Sequence, residues 1–464
     1  MGHELCIDSS EVACLSKHLS RLEPSEEQKE RISRLVERAV RELHHVVEES
    51  GLKPLVREIS IHGSFARDTW LPEDTDVDVF VLFDESLGLE ELHKSVETLS
   101  TELAQRLGAE LEVRFASHPY FIIKYRGVEL ELVPAYKVES PQRIKSAVDR
   151  TPFHTEYIIS QISRNPALKR DIRLFKALLR RLNIYGAEIE VKGFSGYLAE
   201  VLIVHYGGLI PLLCAASKWI PWRVVIPETA YRLRGTAPLV VLDPVDPRRN
   251  AAAAVGVDQL SKLILFANVF KHCPAILCCV LEGVEEEAEY APDENSIVLQ
   301  LVKHPTLAPD ALAGKLNRVL DAVTNTLRRN GFSVLRKLHL KLNEKHLLVL
   351  QLESLELPLW EKKVGPPVWH ENVLRFLEKW ASNKPAPFIE GDRVVAVAPR
   401  KNRNAIEIIK EVLKVYKGFE WEISKACDYI QKLPMPEKRE LLKRLAGYEP
   451  WILCLKRCMA GAEF

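Results

Sequence analysis

A glycine-serine pair, Gly63-Ser64, is followed in one short stretch by Asp76-Val77-Asp78, and this ordered pair of motifs constrains the chain more than any other feature. Residues Val56 to His62 read as a strand, and a glycine at its end lets the backbone approach a ligand closely. Ser64 falls at or near a helix start, where free N–H groups and a hydroxyl can hold phosphate oxygens. Asp76 and Asp78 open a second apolar run (Val77, Val79, Phe80, Val81, Leu82, Phe83), and strand alternation puts both carboxylates on one face. Two oxygen donors side by side, opposite a phosphate cradle, suit Mg²⁺-assisted phosphoryl chemistry. Each motif alone is common and usually structural. Their order, with the acids opening a strand, favours a functional site.

The 464 residues predict two to four domains, and a hydrophobic share of 47% supports several cores. Lysine plus arginine equal aspartate plus glutamate at 64 each, so any nucleic-acid contact must come from local patches. No apolar run is long enough to span a membrane, so no membrane partner is expected. Met1 to Cys6 lack the basic-then-apolar order of a secretory leader. The 9 cysteines show no Cys-x-x-Cys spacing. Reduced, mostly buried thiols and a cytoplasmic setting are the expectation.

Periodicity divides the chain into four regions, 1–150, 151–272, 273–360 and 361–464. The first reads as a small mixed sheet with helices on one side: a helix over 24–50 capped by Ser25, strands before and after the motif, a helix over 88–108, and strands near 121–125 and 128–133. The second is mainly helical, with a basic helix over Pro166–Leu182 and a Gly193-Phe194-Ser195-Gly196-Tyr197 turn. The third reads as strands at 275–281, 296–304, 333–339 and 346–354 around one helix at 309–330, a small α/β sandwich. The fourth carries helices near 370–382 and 404–416, a basic strand-loop from Arg393 to Arg403, and further helices from about 421.

Nucleotidyl transfer calls for a third carboxylate beside the first two, and Val128-Glu129-Leu130-Glu131-Leu132-Val133-Pro134 supplies one. Its leucines would face the core, and Glu129 and Glu131 the opposite side. A solvated strand face bearing two acids is the bland alternative. At this point the chain resembles the archaeal-type (class I) CCA-adding enzymes, tRNA nucleotidyltransferases of the polymerase β superfamily. The likeness runs from about residue 25 to the end and is strongest over Gly63–Phe83, Val128–His154, Ile184–Leu198 and Asp243–Asn250.

The resemblance implies an α+β fold: a polymerase-β-like nucleotidyltransferase palm, a helical central (neck) domain, a small α/β body domain and a C-terminal tail that binds RNA. It implies that Asp76, Asp78 and Glu131 are catalytic and hold Mg²⁺, with Glu131 a departure from the aspartate usual there. Gly63, Ser64, Arg67, His154, Lys176, Tyr185 and Arg249 match nucleotide-binding positions. Lys176 could instead be one charge on a wet helix face, His154 a satisfied core histidine and Arg249 a helix-start surface residue. Among the basic patches (Lys169–Arg181; Arg328-Arg329 with Arg336-Lys337; Arg393 with Arg400–Arg403), the tail set Arg400, Lys401 and Arg403 is the preferred RNA contact.

The implied activity is template-independent addition of C, C and A to the 3′ end of tRNA from CTP and ATP, releasing pyrophosphate. Its partners would be tRNA with a missing or incomplete CCA end, the two nucleotides, and a second copy of the chain if it forms a homodimer. A poly(A) polymerase or oligoadenylate synthetase type of enzyme, or a catalytically silent RNA-binding protein on the same scaffold, are the alternatives.

Overall fold

The computed structural model describes residues 18–74, 76–115, 119–283, 293–445, 452, 454 and 455. The chain forms two compact units, Met1–Glu286 with Glu449–Phe464, and Glu287–Tyr448.

The first unit begins with α1 (Glu26–Glu49), where the Ser25 hydroxyl accepts from the Gln28 N–H. Ile32, Val36, Ala39, Leu43, Val46 and Val47 recur at helical spacing and are all buried. Next come β1 (Val56–His62), the single turn α2 (Gly63–Ala66), β2 (Asp76–Phe83), α3 (Leu89–Leu107), β3 (Glu110–Phe115), β4 (Pro119–Tyr125) and β5 (Val128–Tyr136). They form a sheet of order β1-β2-β5-β4-β3, in which β2 and β5 run parallel and the other neighbours antiparallel. Val77, Val79, Val81, Phe83, Leu130, Leu132, Phe121 and Ile123 meet the apolar stripes of α1 and α3. The mixed sheet with helices on one side is therefore as the alternation predicts. Strand β3, a sheet edge, was not anticipated.

The unit continues with α4 (Thr151–Arg164), α5 (Ala167–Arg181), α6 (Gly196–Tyr206), α7 (Leu209–Ala216), a parallel pair β6 (Val224–Ile226) and β7 (Leu239–Val241), α8 (Val257–His272) and α9 (Ala275–Glu282). One apolar core joins them, from Ile158 to Leu281. Residues 275–281, expected as a strand, are helix α9, and Ile276, Leu277, Val280 and Leu281 face that core. A short run of buried apolar residues does not itself distinguish the two states. The expected reduced thiols are also corrected. Cys279 is bonded to Cys454, with Cα atoms 5.7 Å apart, and Cys273 and Cys278 are disulfide-bonded as well. Cys214 and Cys427 are free, whereas Cys6, Cys14 and Cys458 lie outside the described residues.

The second unit contains β8 (Ser296–Lys303), α10 (Pro309–Arg329), β9 (Val334–Leu342), β10 (Lys345–Leu352), β11 (Trp360–Pro367), α11 (Val373–Trp380), β12 (Phe388–Glu390), β13 (Arg393–Pro399), α12 (Ala405–Leu413), β14 (Glu420–Lys425), α13 (Ala426–Gln431) and α14 (Met435–Leu445). Two sheets result, β14-β8-β10-β9 and β11-β13-β12. Residues 420–425, expected to open the terminal helices, are instead strand β14, paired antiparallel with β8. Ile423 and Trp421 reach the core under α10 and α12 from that edge.

Candidate active site

Parallel pairing of β2 with β5 sets Asp76 opposite Glu129 and Asp78 opposite Glu131. Neighbouring strands lie about 4.8 Å apart. Val77, Val79, Leu130 and Leu132 are spent on the core, so the four acids project from the other face. On that face the acids give way to a small apolar patch of Phe80, Leu82, Val133 and Ala135. Asp76 is exposed and Asp78 half-buried. Burial raises the Asp78 carboxyl above its ordinary range; Arg67 opposes this and Asp76 adds to it.

Gly63 closes the floor of this site. Its φ is +69°, and a Cβ built there would lie 1.6 Å from Asp78 Oδ2. Only a residue without a side chain fits the turn and the carboxylate together.

The chain after α2 is stitched to the basic helix. Arg173 donates to the carbonyls of Asp68 at 2.8 Å and Trp70 at 3.1 Å, and pairs with the Asp68 carboxylate at 2.6 Å. Lys169 reaches the same carboxylate at 2.8 Å. Further along α5, Arg180 pairs with Asp74 at 2.6 Å and lies 4.8 Å over the Tyr185 ring. Burial, with Asp74 adding to it, pushes the Tyr185 phenol up to about 12. Arg173, Lys176 and Arg180 thus bind protein partners, while Arg170 and Arg181 are exposed.

Lys176 is not on a wet face. It is 1% exposed, and its Nζ donates to the Thr69 carbonyl at 3.0 Å and to Glu200 Oε1 at 2.9 Å. Glu200, fully buried on α6, also accepts from the Thr69 hydroxyl at 2.5 Å and lies 2.8 Å from Arg67 Nε. Arg67 in turn donates to the Thr155 hydroxyl at 3.2 Å. Burial would raise the Glu200 carboxyl, but Arg67, Lys176 and Thr69 outweigh it and hold the carboxyl below its usual range. Burial pulls the Lys176 ammonium down, and Glu200 pushes back.

A second carboxylate gathers the remaining candidates. His154 donates from Nε2 to Asp243 Oδ2 at 2.8 Å, and Arg249 donates to the same oxygen at 2.9 Å. The Tyr197 hydroxyl donates to Asp243 Oδ1 at 3.0 Å, and its ring stacks on His154 with centroids 3.9 Å apart. Burial would raise Asp243; His154, the Val245 N–H and Arg249 hold it well below the usual carboxylate range. His154 is thus buried and satisfied by Asp243, as the core-histidine alternative has it, and Arg249, 40% exposed at its side chain, carries the accessible end of this group.

The glycine turn before α6 joins the two clusters. Ser195 caps the helix by accepting from Leu198 N. A Cβ on Gly196 would lie 2.9 Å from the Tyr185 hydroxyl and 3.9 Å from Lys176 Nζ, so the missing side chain leaves room where a phenol and an ammonium converge.

Of the residues singled out from the sequence, Gly63, Ser64, Arg67, Asp76, Asp78, Glu131, His154, Lys176, Tyr185 and Arg249 all belong to the first unit. Thr69, Tyr197, Glu200 and Asp243 were not singled out. A lone acid inside the apolar run Gly196-Tyr-Leu-Ala-Glu-Val-Leu-Ile-Val was the available signal for Glu200. Arg400, Lys401 and Arg403 belong to the second unit. There Arg400 pairs with Glu361 at 3.0 Å, and Arg403 pairs with Glu356 at 3.4 Å and donates to the Leu357 carbonyl. Lys401 is exposed.

Residues 40–154 match the nucleotidyltransferase domain family, residues 170–278 the second domain of tRNA nucleotidyltransferase, and residues 295–429 the C-terminal domain of CCA-adding enzyme. The chain is 35% identical over 399 residues to the CCA-adding enzyme of Pyrobaculum islandicum, covering 85% of this chain and 91% of that protein. It is 34% identical over 411 residues to the CCA-adding enzyme of Methanoregula boonei, covering 86% of each. To the enzyme of the same name in Methanocaldococcus jannaschii it is 30% identical over 412 residues, covering 86% and 90%.

Proposed function

This chain belongs to the CCA-adding enzyme family, and on that premise we propose how its residues add nucleotides to tRNA. It is an enzyme whose substrates are tRNA and nucleoside triphosphates, and it transfers C, C and A to the tRNA 3′ end. The terminal ribose hydroxyl attacks the α-phosphate of CTP or ATP, the bond to the β-phosphate breaks, and pyrophosphate leaves.

Asp76 and Asp78, with Glu131 on the neighbouring strand, would hold Mg²⁺. Hard carboxylate oxygens suit that ion, and the desolvated Asp78 carboxyl favours a cation beside it. Among the described residues no three His, Cys, Asp or Glu side chains, these acids included, are gathered into a group that could hold a metal ion, so substrate phosphates and water would supply much of the shell. When bound, magnesium neutralises charge building on the phosphate and makes the attacking hydroxyl easier to deprotonate.

Gly63 and Ser64 offer the triphosphate a bare turn. Arg67 and Tyr185 would face it from the segments beside α5, and Lys176, buried against Glu200, would add its charge from α5. His154 and Arg249, oriented by Asp243, meet the rest of the nucleotide, Arg249 with the forked donors that can address a base edge or a phosphate. In the second unit, Lys401 is the cation of the tail set best placed for RNA, since Arg400 and Arg403 already serve Glu361 and Glu356.

The parallel register that sets Asp78 beside Glu131 supports this reading most directly. Incubating the protein with tRNA lacking CCA, CTP, ATP and Mg²⁺ should extend it by three nucleotides. Asp78→Asn should lower the rate by about 10³-fold or more while leaving the thermal unfolding curve in place. Long adenosine tracts on an oligo(A) primer would instead favour the poly(A) polymerase reading.

A further inference from the structure

Glu200 stands where three segments meet, and two cations contact it, Lys176 of α5 and Arg67 at the end of the α2 turn. Its Oε1 accepts from Lys176 of α5 at 2.9 Å and from the Thr69 hydroxyl at 2.5 Å. Its Oε2 lies 2.8 Å from Arg67 Nε, one turn beyond Gly63-Ser64. That last contact is electrostatic only. The Nε–H does not aim at the oxygen, and neither atom has a hydrogen bond among the described residues. The hub therefore sets two cations against one anion, with every member buried.

Two features make this more than a packing detail. First, the two buried cations share the one carboxylate that contacts both, so an arriving anion such as a triphosphate or pyrophosphate is favoured there. Second, Arg67 ends the Gly63–Ala66 turn, and its Nε–H is left without a hydrogen-bond partner among the described residues. We propose that Glu200 is a positioning residue that fixes Lys176 and Arg67 beside the Gly63-Ser64 turn and, through Arg67, sets the grip on the triphosphate tail common to CTP and ATP. Because the loosely aligned Nε–H of Arg67 is not bound to Glu200 by a hydrogen bond, the guanidinium can turn to a phosphate oxygen while staying charge-compensated.

The proposal rests on the nucleotidyl-transfer reading and narrows it to the phosphate end of the substrate. Glu200 touches no base-reading group, so its loss should affect both nucleotides alike. The test compares wild type and Glu200→Gln by steady-state kinetics on tRNA lacking CCA, and by calorimetric titration with magnesium pyrophosphate. Glu200→Gln should raise KM for CTP and for ATP by the same factor, about tenfold, which is less than the ~10²-fold loss expected of a 1 Å misplacement. Pyrophosphate should bind more weakly by a similar factor, and the order C, C, A should be unchanged.

A fall in kcat with KM and pyrophosphate affinity intact would show a purely structural role and overturn the proposal. So would a change confined to one nucleotide. If Glu200→Gln does not fold, Glu200→Asp keeps the charge and shortens its reach. A parallel rise in both KM values then supports the proposal, and unchanged values overturn it. Failure of the wild-type chain to extend tRNA would strike the nucleotidyl-transfer reading instead, while the pyrophosphate titration would still test Glu200.

Discussion

Replacing Gly63 by alanine asks for two incompatible things. The new Cβ would stand 1.6 Å from Asp78 Oδ2 at a φ of +69°. Either the turn opens or the carboxylate moves. Gly63→Ala should cut kcat by about 10²-fold through displacement of Asp78, and lower stability by only about 1–2 kcal/mol through the left-handed backbone. An equal loss from Gly63→Ala and from a distant alanine control would contradict this. In the second unit, His346 meets His339 at 3.3 Å. Burial lowers its pKa, Lys341 and His304 add to that, and Glu344 opposes them. A folded-state pKa below the unfolded one gives stability that is complete above the ordinary histidine range and is lost as pH falls through the folded value. The urea midpoint should therefore drop as pH falls below the ordinary histidine value of 6.5, and His346→Gln should flatten part of that drop.

At the scale of elements, the site depends on α5 and on the register of β2 against β5. A slip of one residue would turn Val77 and Val79 outward and bury the acids, so the apolar face fixes the acidic one. Arg173 ties α5 to the chain leading into β2 through the carbonyls of Asp68 and Trp70. Arg173→Met removes the donors, leaving those carbonyls without this partner and Asp68 with Lys169 alone. A loss of about 2–4 kcal/mol is expected, kept below the upper range because Asp68 is partly exposed. Chemical denaturation would measure it, and a change under about 0.5 kcal/mol would place Arg173 among ordinary surface residues. The helical pattern of α5 was readable from its sequence. The inward direction of three of its cations was not, because their partners Asp68, Asp74 and Glu200 lie on other segments.

For the whole molecule, the covalent link between Cys279 and Cys454 spans 175 residues and encloses the entire second unit. In the chain-entropy description a loop of that length stabilises by about 5 kcal/mol, an upper figure. Cys454→Ser, or reduction of the wild type, should lower the unfolding midpoint of the first unit, and the two treatments should not add where this bond is the one affected. Counting free thiols in the unfolded, unreduced protein tests the pairing directly: reactive Cys279 and Cys454 would refute it. Cysteine spacing gave no hint of this bond, since residues so far apart in sequence meet only through the packing of helices.

What the sequence itself determined is everything with a local period: the strands that carry Asp76, Asp78 and Glu131, the common face they share, the helical stripes behind them, and the glycine turn. Alternation and helical spacing are properties of neighbouring residues. Tertiary structure decided what depends on distant partners. It buried Lys176 against Glu200, joined Thr69 to a residue 131 positions away, and assembled His154, Tyr197 and Arg249 around Asp243. It also recruited β14, whose residues alternate, to the edge beside β8, a partner distant in sequence. A charged side chain has no period that reveals its partner; only the packing of elements brings the opposite charge within reach.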